Sequence, residues 1–231
     1  MHSPLSLAKR LARMAGVLYL LVGISGGFAE GFVEPKVYVA GNAAATTGNL
    51  MANSGLVRLG VVADLLDQAF FVLLALTLYV LLKHVHRSVA VAMVVLVALA
   101  AAIGSLNAVF EFEGLRIATA TGSGAVVLLM LDLQHYGLLI AQIYFGLWLV
   151  PLGYLAFNSG MFPKALGVLL ILGGVCYLAD TFAAFLVPDL SLKIHAFVVI
   201  PSAVAEISMV AYLLVIGVKS SRRDGRVLAA A

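Results

Sequence analysis

Charge is scarce in this chain: Lys and Arg number 14 and Asp and Glu 11, so that 11% of 231 residues are charged. An ordinary soluble domain carries about a quarter, which excludes a water-facing surface of normal extent. Cysteine is almost missing. The lone Cys176 leaves no internal disulfide, no CxxC redox pair and no cysteine-rich metal centre. The short alternating segments of a membrane β-barrel are missing too. No folded soluble domain carries the basic residues, so the net charge of +3 does not indicate nucleic-acid binding.

What the chain has is apolar sequence, 63% of it, gathered in blocks of twenty or more. About 20 helical residues cross a hydrocarbon core of about 30 Å. Six blocks are that long: Arg13 to Val33, Leu59 to Leu82, Val89 to Phe110, Leu133 to Phe157, Leu166 to Val187 and Ile194 to Gly217. The pattern predicts an all-α, polytopic transmembrane helix bundle of six spans in contact with a lipid bilayer. The first block follows Lys9, Arg10 and Arg13, like a secretory signal, and is read as an uncleaved span. Residues 1–12 form a basic N-terminus, 13–218 a single transmembrane domain and 219–231 a basic tail.

The basic residues orient the bundle. With the N-terminus inside, ten of the fourteen fall on the cytoplasmic side, and only Lys36, Arg58, Arg116 and Lys193 fall outside. By the positive-inside rule both termini are cytoplasmic. The expected location is a bacterial inner (cytoplasmic) membrane. Three segments are read as lying outside: Glu34 to Val57, with a short surface helix; Glu111 to Asp132, whose apolar end dips back as a half-helix; and a tight turn at Pro188 to Lys193.

The scarce polar residues are placed in a pattern. Positions i, i+3, i+4 and i+7 share a helix face, which aligns Asp64, Asp67, Gln68 and Phe71 in the second span. The first span aligns Tyr19, Gly23, Gly26, Gly27 and Glu30. The third offers Asn107 with Glu111 one turn beyond. His135 and Gln142 share a face of the fourth, Tyr177 and Asp180 of the fifth, and His195, Ser202 and Glu206 of the sixth. An ionised side chain at mid-depth costs about 2.5 to 3.5 kcal/mol, and Arg58 is the one nearby cation. The candidate site is therefore a polar vestibule in the outer half of the bundle, lined by Glu30, Arg58, Asp64, Asp67, His135, Gln142, Asp180, His195 and Glu206. Arg58 is read as an ion-pair partner for Asp64 or for an acid on another helix.

RLGVVADLL (Arg58 to Leu66), LDLQHYGLLIAQIYFGLWLVPLGYLAFNSGMFPKALGVLL (Leu131 to Leu170), YLADTFAAFLVP (Tyr177 to Pro188) and IPSAVAEISM (Ile200 to Met209) together resemble the bacterial membrane-protein family called domain of unknown function 4386. The resemblance runs from about Arg13 to Val218. It implies that Arg58, Gly60, Asp64, His135, Gly137, Gly146, Gly153, Tyr154, Gly160, Pro163, Gly167, Asp180 and Glu206 belong to the shared pattern, whereas Asp67 departs from it. It implies the topology and supplies no reaction.

Three functional readings stay open on the sequence. The favoured one is a membrane protein that binds or conducts a cation, a proton or a small polar solute. Another is a metal-dependent hydrolase at the outer leaflet, with a divalent ion held by His135, His195, Asp64 and Asp180, since zinc accepts both imidazole and carboxylate. No HExxH spacing supports it. The third is an accessory subunit without a site of its own. Binding is favoured over catalysis.

Overall fold

The structure, a computed structural model, describes residues 4–120 and 123–219. The basic tail expected beyond Lys219 lies outside the described residues. Helix α1, Pro4–Phe28, passes through a π-helical turn, Ala29–Val33, into the short α2, Glu34–Val37. There follow α3 (Ala43–Ala52), α4 (Ser54–Leu82), α5 (Arg87–Ala120), α6 (Gly124–Ser159), α7 (Lys164–Leu186) and α8 (Pro188–Val215). No strand occurs among the described residues. Six helices are long and apolar enough to cross a membrane, as the sequence predicts.

Their surfaces carry the same message. On α4, Leu59, Val62, Leu65, Leu66, Leu73 and Leu76 are exposed, while Asp64, Asp67 and Gln68 are buried. That inversion is stable where the solvent is lipid, because apolar groups lose nothing by facing acyl chains and polar groups must find partners inside.

Two boundaries differ from the sequence reading. Most of Glu111 to Asp132 is not a loop with a half-helix: α5 runs on to Ala120 and α6 begins at Gly124, giving helices of 34 and 36 residues. At 1.5 Å per residue each is about 50 Å long, well beyond a 30 Å hydrocarbon core. Packing sustains the extra turns. Leu115 and Ala118 of α5 join Val127 and Leu131 of α6, Leu50 of α3, Val37 and Val57 in a buried apolar cluster. The expected turn at Pro188 to Lys193 is also helix, since Pro188 opens α8. Proline has no N–H to lose and a preset φ, which suits a first helical position.

The expected surface helix is α3. Asn42 caps it, its side-chain oxygen accepting from the Ala45 N–H at 3.0 Å. The preceding loop is pinned by Thr46, whose hydroxyl accepts from the Val39 N–H and donates to the Val39 carbonyl, both at 3.1 Å. Asn42→Ala should destabilise α3 by about 1 kcal/mol, seen as faster amide exchange at Ala45. Unchanged exchange would mean that the cap contributes nothing.

Contacts divide the chain into two compact units. One comprises Leu21–Phe71 and Ala100–Ala141; the other comprises the chain up to Leu20, Val72–Leu99, and everything from Gln142 onward. In the latter, helices meet through glycine. A Cβ on Gly153 of α6 would stand 2.5 Å from the Gly167 carbonyl oxygen of α7, and one on Gly174 would stand 2.6 Å from the Gly146 carbonyl oxygen. Gly173 is in turn pressed on Ser202 of α8, whose hydroxyl donates to the Gly173 carbonyl at 2.8 Å.

Candidate functional site

Seven of the chain's eleven acids lie in the first unit, and five of them, Glu30, Glu34, Asp64, Asp67 and Glu111, form one cluster. Asp64 and Asp67 are three residues apart on α4 and are 9% and 5% exposed. Gln68, 3% exposed, lies beside both. Its side-chain Nε2 donates to Asp64 Oδ1 and to Asp67 Oδ2, each at 3.1 Å. Those two bonds fix the amide's orientation, because only its NH₂ end can face two carboxylates. Gln68 Oε1 is then buried without a hydrogen-bond partner.

The remaining acids surround this pair. Glu30, in the π-helical turn, is within electrostatic range of Asp64, Asp67 and Glu34. Glu111 is within range of Asp64 and Glu34. Small residues let the helices approach. Gly26 faces Asp67, and Gly104 faces the Gln68 amide, so closely that a Cβ there would stand 2.5 Å from its Cδ. Gly137 takes the Asn107 amide in the same way. Asn107 is buried and its Nδ2 has no partner.

Among the described residues no lysine or arginine forms an ion pair with this cluster. Lys36, Arg58 and Arg116 are the unit's lysine and arginines, and each is engaged elsewhere. The Lys36 ammonium stands 3.5 Å from the Phe32 ring centroid, the Arg58 guanidinium 5.8 Å from that of Phe112, and Arg116 pairs with Glu113 at 2.5 Å. No ion pair joins Arg58 to Asp64 among the described residues. His135 alone approaches an acid of the group, its Nδ1 lying 3.0 Å from Glu34 Oε1. The His135 ring also stacks on Tyr38 at 5.1 Å between centroids. Tyr38 donates to Asp132 at 2.6 Å. Burial, and then that bond, hold its hydroxyl well above the usual tyrosine range, so it stays a donor.

The other predicted residues lie in the second unit, with partners of their own. Asp180 is buried and its Oδ2 lies 2.8 Å from Nδ1 of His195, whose side chain is 58% exposed. Asp180 Oδ1 has no partner. Glu206 Oε2 accepts from the Tyr19 hydroxyl at 2.9 Å, and Tyr177 is a second hydrogen-bond partner. The Tyr19 ring packs against buried Trp148 at 5.5 Å. Gln142 is half-buried.

Sequence reasoning left Glu34 and Glu111 out of the site. Glu34 follows Glu30 by four residues, a helical spacing, but the first apolar block ends at Val33, one residue before it. Glu111 stood at the end of an apolar block that the helix in fact overruns. As for metal, no three His, Cys, Asp or Glu side chains among the described residues are arranged to hold an ion.

The residues that pack these units include many of those the sequence resemblance picks out, among them Gly60, Asp64, Gly137, Gly146, Gly153, Gly167, Asp180 and Glu206. No curated protein and no solved structure matches the chain. A family model described as Domain of unknown function (DUF4386) matches residues 14–217. The chain is thus a multi-pass integral membrane protein and belongs to the DUF4386 family.

Proposed function

We propose that the protein binds a cation, either a metal ion or a protonated solute, in the acidic cluster of its first unit. Asp64 and Asp67 are its principal ligands; Glu30, Glu34 and Glu111 set the surrounding negative potential. The observation that carries this reading is the charge balance. Five carboxylates share one region, while Lys36, Arg58 and Arg116 are turned to Phe32, Phe112 and Glu113. An assembly of ionised acids in low dielectric is costly unless a positive charge joins it. Asp180, His195, Glu206 and Gln142 have other surroundings and are not needed by this reading.

The test is cation-dependent stability of the purified protein in nanodiscs of neutral lipid. Sodium, potassium, magnesium, calcium and a small organic ammonium are titrated singly, with bulky N-methylglucamine matching ionic strength. A ligand at one hundred times its Kd stabilises by about 2.7 kcal/mol. One cation class should therefore raise the melting temperature saturably. If every cation acts no differently from N-methylglucamine, the proposal is wrong.

A further inference from the structure

At the turn between α6 and α7 lies a cavity of about 440 Å³, within the size range of small-ligand sites. Two lysines line it, Lys164 and Lys219, together with Phe157, Asn158 and Phe162. Among the described residues its wall holds two ammonium groups and no carboxylate, and neither lysine is in an ion pair. Lys164 Nζ stands 5.1 Å from the Phe157 ring centroid. Positive charge beside the half-buried Phe157 ring suits a ligand that is anionic at one end and apolar at the other.

The wall is fixed before any ligand arrives. Gly160 ends α6 in the left-handed region at φ +69°, a conformation that favours glycine. Ser159 Oγ accepts from the Met161 N–H at 3.1 Å, while the Met161 carbonyl accepts from the Lys219 N–H at 3.0 Å and the Tyr212 hydroxyl at 3.2 Å. These bonds hold the backbone of Lys219 against the turn that carries Lys164. Pro163 and Lys164 begin α7, and no side chain caps that end, so the positive end of the helix dipole adds to the two ammoniums.

Depth selects the ligand. Two membrane-length segments, Gly124–Ser159 and Lys164–Leu186, end at this turn, which puts the cavity at the level of lipid headgroups. We propose that it binds the phosphate of an anionic phospholipid, with Lys164 and Lys219 on the phosphate and the half-buried Phe157 ring against the glycerol and upper acyl chains. Basic pockets between membrane helices recognise headgroups by this combination.

The experiment is native mass spectrometry of the full chain from detergent with added phosphatidylglycerol or phosphatidylcholine. Phosphatidylglycerol should be retained preferentially. Lys164→Gln with Lys219→Gln should weaken retention roughly thirtyfold, a factor of about five per lysine, whereas Lys164→Arg with Lys219→Arg should preserve it. If the double glutamine variant does not fold, Lys164→Gln alone is read, with a fivefold loss expected. Equal retention of the two lipids, or undiminished phosphatidylglycerol retention by the glutamine variant, overturns the proposal. So does displacement of the lipid by millimolar inorganic phosphate, which would make free phosphate the ligand.

Discussion

Asp64→Asn should lower cation affinity at least a hundredfold and, in the same protein without cation, raise the melting temperature. The two effects have one origin. A cation held about 4 Å from a carboxylate gains roughly 4 kcal/mol at an effective dielectric of 20. Removing that charge while keeping the shape takes away most of this, which exceeds the 2.7 kcal/mol of a hundredfold change. Without cation, Asp64 acts on Glu111 and Glu30 as a like charge, so neutralising it relieves repulsion. Asparagine can still accept from Gln68 Nε2, as Asp64 does at 3.1 Å. An Asp64 that served only to hold α4 in place would give the opposite pattern, a lower melting temperature with cation affinity unchanged. Calorimetric titration and thermal unfolding on the same preparations distinguish the two.

The existence of the spans was legible because hydropathy is a local property and lipid imposes it on every crossing segment. Their ends were not. Glu111, Glu113 and Arg116 stop the apolar run of α5, yet the helix continues to Ala120, because Leu115 and Ala118 are buried against residues far off in sequence. The same limit applies to the site. The shared face of Asp64, Asp67 and Gln68 follows from the helical period alone, and the structure joins those three side chains by hydrogen bonds. For Arg58 the sequence offers Asp64 or an acid on another helix as partner; six residues amount to about 240° around a helix, and the guanidinium lies toward Phe112. The π-helical turn at Ala29–Val33 has no sequence signature comparable to a cap. It changes the register of everything after it, and so moves Glu34 relative to the glycine stripe of α1.

The lysines and acids therefore answer two questions about one topology. Acids that avoid their own unit's cations leave a charge deficit inside it, and lysines without acids leave a surplus at the α6–α7 turn. The acidic cluster keeps its geometry only if the helices that carry it are held firmly together. In a membrane that firmness comes chiefly from close packing, since burying leucine against leucine gains little when lipid is the solvent.

For that reason Gly153→Val should be the most damaging single change outside the acidic cluster. A Cβ at Gly153 would stand 2.5 Å from the Gly167 carbonyl oxygen and 2.7 Å from Ile171 Cγ1, and one at Gly167 would stand 2.7 Å from the Gly153 carbonyl oxygen. Both obstacles include backbone, which cannot rotate aside. Valine forces α6 and α7 apart, and each atom pair drawn out of contact loses about 0.1 to 0.2 kcal/mol. Summed over the contact the cost should reach about 3 kcal/mol, the upper end for overpacking. The Gly146 and Gly174 contact opens with it. In detergent the variant should lose its monodisperse peak on size-exclusion chromatography well below the melting temperature of the parent. Gly27→Ala is the control, because a Cβ there meets nothing within 4 Å and alanine is the better helix former. Equal stability of the Gly153→Val and Gly27→Ala proteins would show that α6 and α7 are not held together by backbone contact.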